Sequence, residues 1–177
     1  DNTDGFGFIE NLRQEAPNAD FCAGPAVVLG AGGASRAVLF ALLDEGSPEI
    51  RIANRTRKRA DDLAAEINDP RIKVVDWPLE PVALADISLL VNTTSLGMVG
   101  QPKLEINLDG LPQTALVTDI VYAPLITDLL AQAQKRGNPI VDGLGMLLHQ
   151  ARPGFHRWFG IDPEVTAELR DFVLSPD

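Results

Sequence analysis

The sequence predicts an α/β protein with a Rossmann-like, doubly wound and mostly parallel sheet of six strands that carries helices on both faces. From residue 26 onward, short apolar runs alternate with stretches of helical periodicity, which is the pattern of consecutive βαβ units. A glycine-rich turn follows the first of these runs and opens a helix, as in many doubly wound folds. The 177 residues, 45% of them hydrophobic, suffice for one domain with a buried core.

Each predicted element depends on a local signal. The first strand, Ala26–Leu29, is a continuous apolar run, as expected of a strand that is buried on both faces. Gly46 and Gly137 are expected to end the helices that precede them. The six predicted strands span residues 26–29, 50–53, 71–75, 87–91, 115–120 and 140–141. The helices between and after them span residues 35–45, 57–67, 124–136 and 145–159.

Both ends of the chain are predicted to be helical. The first fifteen residues form a helix with Thr3 as its N-cap. Near the other end, Pro153 and Gly154 are expected to interrupt a helix, because proline lacks the backbone N–H that a helix interior needs. Asp162 and Pro163 supply an N-cap and a first-turn proline for a last helix that ends near residue 173.

No internal repeat, low-complexity tract or second-domain boundary divides the sequence. We therefore predict a single domain over residues 1–177, in which 1–20 form an N-terminal linking helix and 145–177 the C-terminal helices. The longest predicted loop spans residues 98–113, where two glycines and two prolines break any regular pattern.

Composition and charge exclude several classes of protein. Fifteen Lys and Arg against 25 Asp and Glu give a net charge of −10, the opposite of the balance found in nucleic-acid and anionic-membrane binders. The single cysteine, Cys22, rules out an internal disulfide framework. His149 and His156 have no carboxylate at metal-ligand spacing, so no metal is predicted. No apolar run approaches 18 residues and no signal peptide is present, so the expected location is the cytoplasm.

The strongest motif is the glycine-rich turn after the first strand. Gly30 is expected to form the tight turn and Gly32 to let a pyrophosphate approach the backbone, where the helix N-terminus favours an anion. Ser35 stands at the third position of the fingerprint, which usually holds Gly or Ala. The predicted phosphate-binding loop comprises Gly30, Ala31, Gly32, Gly33, Ala34 and Ser35.

The end of the second strand distinguishes between two dinucleotides. Sites for NAD place Asp or Glu there to hold the ribose, whereas this sequence has Asn54. Charge runs are usually solvated helix faces, but guanidinium groups at this position bind a 2′-phosphate. The pattern therefore favours NADP over NAD. Five cations stand within nine residues of this otherwise acidic protein: Arg51, Arg55, Arg57, Lys58 and Arg59.

Three later segments fall at the carboxyl ends of predicted strands, where open parallel sheets bind their ligands. These segments are 92–95, 120–122 and 142–145. Thr93 and Ser95 are candidate cofactor contacts near a nicotinamide, although clusters of Ser and Thr are more often loops or caps than sites.

Six motifs occur in order along nearly the whole chain. They are Asp1-Asn-Thr-Asp-Gly5, Gly30–Ser35, Asn54-Arg-Thr56 with Arg59, Asn92–Ser95, Tyr122-Ala-Pro124 and Gly143–Gln150. Together they resemble the C-terminal, NADP-binding domain of the shikimate dehydrogenase family. The resemblance implies a fold of this domain type and an enzyme that reversibly reduces 3-dehydroshikimate to shikimate with NADPH, in aromatic amino-acid biosynthesis.

The resemblance also implies roles for single residues. Asp4 would bind a substrate hydroxyl and partner a catalytic lysine, while Tyr122 and Gln150 would contact the substrate. Ile120 and Gly143 would lie against the nicotinamide. The pyrophosphate would be bound by Gly30–Ser35, and the adenosine 2′-phosphate by Asn54, Arg55, Thr56 and Arg59.

The family's N-terminal substrate domain, with its catalytic lysine, has no counterpart in this sequence. The resemblance therefore implies a partner domain outside these residues, a chain that is inactive by itself, and a homodimer of the full enzyme. Two alternatives stay open: a quinate/shikimate dehydrogenase paralogue, and a binding or sensing module for NADP without turnover. Trp77, Trp158 and Phe159 are expected to anchor the core rather than to stack on a ligand.

Overall fold

The computed structural model describes residues 2–175. Asp1, the first residue of one of the motifs above, and residues 176 and 177, the end of the predicted C-terminal helical region, lie outside that range. The strands are β1 (Ala26–Leu29), β2 (Ile50–Ala53), β3 (Ile72–Val75), β4 (Leu89–Asn92), β5 (Leu116–Asp119) and β6 (Ile140–Val141). The helices are α1 (Asp4–Glu15), α2 (Gly33–Asp44), α3 (Arg57–Ile67), α4 (Asp128–Arg136), α5 (Leu144–Phe159) and α6 (Ala167–Leu174), with a 3₁₀ helix at Pro81–Leu84.

The six strands form one sheet in the order β3-β2-β1-β4-β5-β6, and every neighbouring pair is parallel. The predicted Rossmann-like fold class is therefore confirmed. The strand order reverses between β1 and β4, and ligands of such sheets bind in the crevice at that point. The register pairs Leu29 with Ala53 and with Asn92, and pairs Asn92 with Asp119. The carboxyl ends of four strands thus lie in one row.

Two apolar clusters sandwich the sheet and explain its continuous apolar strands. In β1, Ala26 and Val28 face one cluster, while Val27 and Leu29 face the other. Helices α1, α2, α3 and α5 cover the first face. Helix α4, the 3₁₀ helix and the loop over residues 104–111 cover the second.

Helix α1 packs between α2 and α5, and glycines allow the close approach. A Cβ atom on Gly7 would lie 2.6 Å from the Met146 carbonyl oxygen and 2.8 Å from the Gln150 nitrogen. Thr3 is the N-cap residue of α1, as predicted, but its side chain makes no capping hydrogen bond. Instead the Asn2 Oδ1 atom accepts from the Asp4 N–H at 2.8 Å.

Three helix predictions in the second half of the chain are wrong. Helix α4 begins at Asp128 rather than at residue 124, because Thr127 caps it by accepting from the Leu130 N–H. Helix α5 runs without interruption through Pro153, since the packing of its first half against α1 supports it despite one missing N–H. Helix α6 begins only after Thr166, whose side chain accepts from the Leu169 N–H.

The segment before α6 has no regular secondary structure, although the sequence predicts a helix there. Arg152 donates to the Pro163 carbonyl at 2.8 Å and Gln14 donates to the Val165 carbonyl at 2.9 Å, so these peptide groups are bound to side chains instead of to a helix. The expected core anchors near this end are also wrong. Trp158 is 77% exposed and Phe159 is 62% exposed, because the second half of α5 extends beyond the cover of the other described elements.

No helix within residues 2–175 combines the length and the apolar character that a membrane crossing needs. The same residues contain no group of three His, Cys, Asp or Glu side chains arranged to hold a metal ion.

Candidate functional site

A cavity of about 240 Å³ opens at the carboxyl ends of β1, β2 and β4, on the side of the strand-order reversal. Its position agrees with the rule that open parallel sheets bind ligands beyond the ends of their strands. One part of the wall is apolar and the other polar, with two arginines. The lining residues are Leu29, Gly30, Ala53, Asn54, Arg55, Arg59, Trp77, Thr94, Ser95, Leu96 and Leu104.

Gly30 turns the chain from β1 into the loop with a φ of +112°, a conformation that side-chain-bearing residues rarely adopt. Its N–H donates to the Ala53 carbonyl at 2.8 Å, which joins the turn to the end of β2. A Cβ atom at Gly30 would lie 2.7 Å from the Thr93 Oγ1 atom. The sequence therefore requires glycine here for both conformation and space.

Ser35 and Thr93 are buried behind the loop and form a chain of hydrogen bonds. Thr93 Oγ1 donates to the Leu29 carbonyl at 2.6 Å, so it accepts from Ser35 Oγ, which lies 2.6 Å away. Ser35 Oγ in turn accepts from the Gly32 N–H at 3.1 Å. The two predicted cofactor residues thus use their hydroxyl groups to hold the loop against β1 and β4. Ser95, by contrast, is exposed and lines the cavity.

The loop presents the N-terminus of α2 to open space. Cβ atoms built on Gly32 and Gly33 would meet no other atom within 4 Å. The first turn of α2 contains no acidic residue, so the positive end of the helix dipole is not neutralised there. Such an exposed helix N-terminus, with free N–H groups, is suited to bind a phosphate.

The cation cluster beside the loop divides into two groups. Arg51 binds Glu49 and Asp86, Arg57 binds Asp61 and Asp76, and Lys58 binds Asp62. Within residues 2–175, Arg55 and Arg59 form no ion pair with any carboxylate, and both line the cavity.

This division shows that the five cations do not act as one group. Three of the five neutralise acidic side chains of the protein, which the spacing of the cations alone does not reveal. Asn54 directly follows β2 and carries an amide instead of a carboxylate. Its Nδ2 atom donates to the Thr56 carbonyl at 2.8 Å. The free positive charge at this site therefore comes from Arg55 and Arg59.

A buried polar network, which the sequence interpretation missed, joins the ends of β4 and β5. Asp119 accepts from Asn92 Nδ2 and from the Val121 N–H, each at 3.0 Å, and from Thr127 Oγ1 at 2.7 Å. Asn92 Oδ1 accepts from the Thr94 N–H at 3.0 Å, which fixes the start of the segment that includes Ser95. Burial raises the pKa of Asp119, while these hydrogen bonds oppose the rise.

The end of β5 lies directly against the start of α5. A Cβ atom on Gly143 would be 2.5 Å from the Ile120 carbonyl carbon, so only glycine permits this contact. Ile120 is half-buried and its N–H donates to the Asn92 carbonyl at 3.1 Å. Tyr122 follows with 48% of its surface exposed, at the open edge of the crevice.

The remaining predicted site residues lie on the pair of helices that flanks this edge. Asp4 is half-buried in the first turn of α1, and Gln150 is half-buried on α5. Gly7, one turn after Asp4, lies against the backbone of Gln150. Gly7 therefore joins the first turn of α1, which contains Asp4, to the part of α5 that contains Gln150.

Comparison with known proteins identifies the chain. A family model for shikimate/quinate 5-dehydrogenase matches residues 14–131, and one for the C-terminal domain of shikimate 5′-dehydrogenase matches residues 143–167. The chain belongs to the shikimate/quinate 5-dehydrogenase family. A shikimate dehydrogenase (NADP(+)) of Dinoroseobacter shibae is 62% identical over 175 residues, or 99% of this chain and 63% of the relative. That of Paramagnetospirillum magneticum is 60% identical over 98% of this chain and 63% of the relative.

Solved structures of the shikimate/quinate dehydrogenase family share the fold. The quinate dehydrogenase of Corynebacterium glutamicum in complex with NAD superposes with a TM-score of 0.87 at 30% identity, over 99% of this chain and 63% of that one. Shikimate 5-dehydrogenase of Thermus thermophilus in complex with NADP(H) and shikimate gives a TM-score of 0.78 at 37% identity, over 92% and 58%. The chain thus spans about 63% of the length of the two curated relatives named above.

Proposed function

We propose that this chain is the NADP-binding domain of a shikimate dehydrogenase, which reversibly reduces 3-dehydroshikimate to shikimate with NADPH in the cytoplasm. The observation that carries the proposal is the pair of cavity-lining arginines, Arg55 and Arg59, without carboxylate partners in the described chain. They stand beside a helix N-terminus suited to a pyrophosphate, at a strand end that lacks the acid of NAD sites.

The residues present fit this dinucleotide. The open space in front of Gly32 and Gly33 leaves room for phosphates against the backbone of the loop, in which Ala31 and Ala34 have small side chains. Arg55 and Arg59, with Asn54 and Thr56 shaping the turn, supply charge-assisted hydrogen bonds to a 2′-phosphate. The pyrophosphate-binding residues of the proposal are Gly30, Ala31, Gly32, Gly33, Ala34 and Ser35.

The bound NADPH supplies the hydride for the ketone. We propose that Ile120 and Gly143 lie against the nicotinamide and that Thr93 and Ser95 belong to the segment beside it. We assign Asp4, Tyr122 and Gln150 to the substrate. This assignment follows the family resemblance.

The remaining substrate contacts, including a catalytic lysine that partners Asp4, are assigned to a substrate domain outside these 177 residues. We therefore expect the chain alone to bind NADP without oxidising shikimate. A homodimer of the whole protein is part of the same proposal. Quinate is the second candidate substrate, because the family includes quinate dehydrogenases, but the relatives at 60% identity and above are named as shikimate dehydrogenases that use NADP.

The first prediction tests the selection of NADP over NAD. Replacing Arg55 with alanine removes a charge-assisted contact to the 2′-phosphate, which costs about 1.5–3 kcal/mol or about ten- to a hundredfold in affinity. Calorimetric titration of the 177-residue chain is expected to show this loss for NADP. Affinity for NAD, which lacks the phosphate, should change little.

Arg57→Ala provides the matched control. It removes the same charge from the neighbouring helix start, but Arg57 is already paired with Asp61 and Asp76. NADP affinity should therefore stay within about threefold of the wild-type value. Equal losses of NADP affinity in the two variants would show that only the general positive potential matters. Equal losses of NADP and NAD affinity in Arg55→Ala would contradict the role in binding the 2′-phosphate.

A further inference from the structure

Trp77 lies two residues beyond the end of β3 and forms part of the wall of the 240 Å³ cavity. The side chain is half-buried and packs against the second apolar cluster, on the same side as Leu96 and Leu104. The indole is thus supported from behind by the core, while the cavity leaves another part of its surface open.

Arg55 lines the same cavity from the end of β2, and the two residues also line an adjoining cavity of about 600 Å³. Within residues 2–175, no cation–π contact joins Arg55 to an aromatic ring; the contact found is between Arg152 and Phe6. The guanidinium group and the indole therefore border a common space without closing on each other. We call this space the Trp77–Arg55 slot.

The chemistry of the slot defines what fits it. An indole offers a flat apolar face that attracts another flat ring, and a guanidinium group binds phosphate through its N–H donors. Arg59, without a carboxylate partner among the described residues, adds a second positive charge to the same cavity. The slot suits a flat aromatic base that carries a phosphate on its sugar.

We propose that Trp77 stacks on the adenine ring of NADP, and that the Trp77–Arg55 slot selects a purine nucleotide over a sugar phosphate without a base. The inference rests on the proposed function and extends it to a residue that no motif of the sequence identified. Stacking of a base on an aromatic side chain contributes about five- to a hundredfold to affinity in other nucleotide sites. The indole positions the adenosine half of the dinucleotide and does not touch the reacting atoms.

The chain offers a direct optical test because it contains two tryptophans. The other one, Trp158, is 77% exposed on α5, at the opposite end of that helix from the crevice. A Trp158→Phe variant therefore leaves Trp77 as the single tryptophan, which can be excited selectively. Titration of this variant with adenosine 2′,5′-bisphosphate should quench its fluorescence, whereas nicotinamide mononucleotide, which has no adenine, should leave it nearly unchanged.

Affinity for adenosine 2′,5′-bisphosphate is then measured by calorimetry in two variants at the same position. Trp77→Phe keeps an aromatic face and should bind within about threefold of the wild type. Trp77→Leu keeps an apolar side chain without a π face and should bind about five- to a hundredfold more weakly. Thermal unfolding of both variants establishes that they are folded, and the quenching experiment decides the matter if Trp77→Leu is not.

The outcomes separate the two proposals. A wild-type affinity in folded Trp77→Leu, or no quenching in Trp158→Phe at saturating ligand, would overturn the stacking of adenine while leaving the NADP proposal intact. A wild-type chain that binds neither NADP nor adenosine 2′,5′-bisphosphate would overturn both. Weak binding in Trp77→Leu together with wild-type binding in Trp77→Phe and quenching of Trp77 supports the slot as described.

Discussion

At the scale of single residues, the glycines of the phosphate-binding loop serve different purposes. Gly30 has a φ of +112° and no room for a Cβ atom beside Thr93, so its lack of a side chain serves the fold. Gly32 has an extended backbone with a φ of −107°, and a Cβ atom there would point into empty space. Its lack of a side chain serves no contact within the chain. We infer that it serves the ligand.

The second prediction follows from this contrast. Gly32→Val should unfold cooperatively, with a loss of at most about 1 kcal/mol from a poorer N-cap residue. Because its side chain would occupy the space of the pyrophosphate, NADP affinity should fall by at least about ten- to a hundredfold. Gly30→Ala should instead act mainly on the fold. It should lower the free energy of unfolding by about 2 kcal/mol or more. Urea unfolding and calorimetry on both variants check this, and near wild-type NADP affinity in Gly32→Val would place the phosphates elsewhere.

Sequence patterns located several residues that line the cavity, but did not reveal what each side chain contacts. Gly30 and Arg55 could be selected because a turn and a local charge pattern are visible in consecutive residues. The hydrogen bond between Ser35 and Thr93 could not be predicted, since the two residues are 58 positions apart in the chain. The pairing of Arg51 with Asp86 likewise spans 35 residues. Trp77 belongs to no motif, so the sequence predicted only that it packs in the core.

At the scale of elements, α1 and α5 cross in close contact, and each carries one of the proposed substrate residues, Asp4 and Gln150. The helices approach so closely at Gly7 that backbone atoms of α5 occupy the space that a side chain would need. Gly5 makes a similar approach to α2, where a Cβ atom would lie 3.1 Å from the Ala37 carbonyl oxygen. Small residues on two different faces of α1 therefore set its position between the two helices.

The third prediction tests this packing. Gly7→Ala forces a methyl group against backbone atoms of α5, which cannot move as a flexible side chain does, and should lower the free energy of unfolding by about 1–3 kcal/mol. Gly154→Ala on α5 is the matched control, since its Cβ atom would meet nothing within 4 Å. That change should raise stability by about 0.5–1 kcal/mol, as alanine favours a helix interior. Equal urea midpoints for the two variants would contradict the close crossing.

Element boundaries followed from the sequence where a local signal decided them. Strands β1, β2 and β6 and helix α3 have the predicted bounds, because apolar runs and periodic helices are visible in consecutive residues. The starts of α4 and α6 were missed for a different reason. Thr127 and Thr166 cap these helices, while Pro124 and Pro163 are proline signals that lie outside them. A proline marks a helix start only if the following backbone continues as a helix, which tertiary contacts decide.

At the scale of the whole molecule, His149 joins α1, α5 and the segment before α6. Gln14 donates its amide N–H to the Val165 carbonyl, so its Oε1 atom accepts from His149 Nε2 at 2.8 Å. On the other side of the ring, Arg152 donates to His149 Nδ1 at 3.4 Å. These contacts fit a neutral imidazole with its proton on Nε2. A second proton would have to lie on Nδ1, facing the guanidinium group.

The charges around His149 agree with that reading. Burial lowers the pKa of His149, and the positive charges of Arg152 and Arg170 lower it further, while Glu10 opposes them. The folded chain therefore binds the second proton less readily than the unfolded chain, whose histidine has a pKa of about 6.5. Stability from this residue is fully present above that pH. It is lost as the pH falls below about 6.5 towards the lower pKa of the folded state.

The last prediction is that His149 makes the domain sensitive to mild acid. Urea midpoints of the wild type, measured between about pH 7.5 and 5, should fall more steeply than those of His149→Gln, which keeps polar groups at the site but cannot take up a proton in this range. His156→Gln is the matched control, because His156 is exposed on the same helix and should leave the wild-type profile in place. The His149→Gln variant is expected to be less stable than the wild type at pH 7.5, since the ring's contacts with Gln14 and Arg152 are lost. At pH 5 its urea midpoint should approach that of the wild type. Parallel profiles for the wild type and His149→Gln would show that the buried ring does not couple protonation to the packing of the three elements.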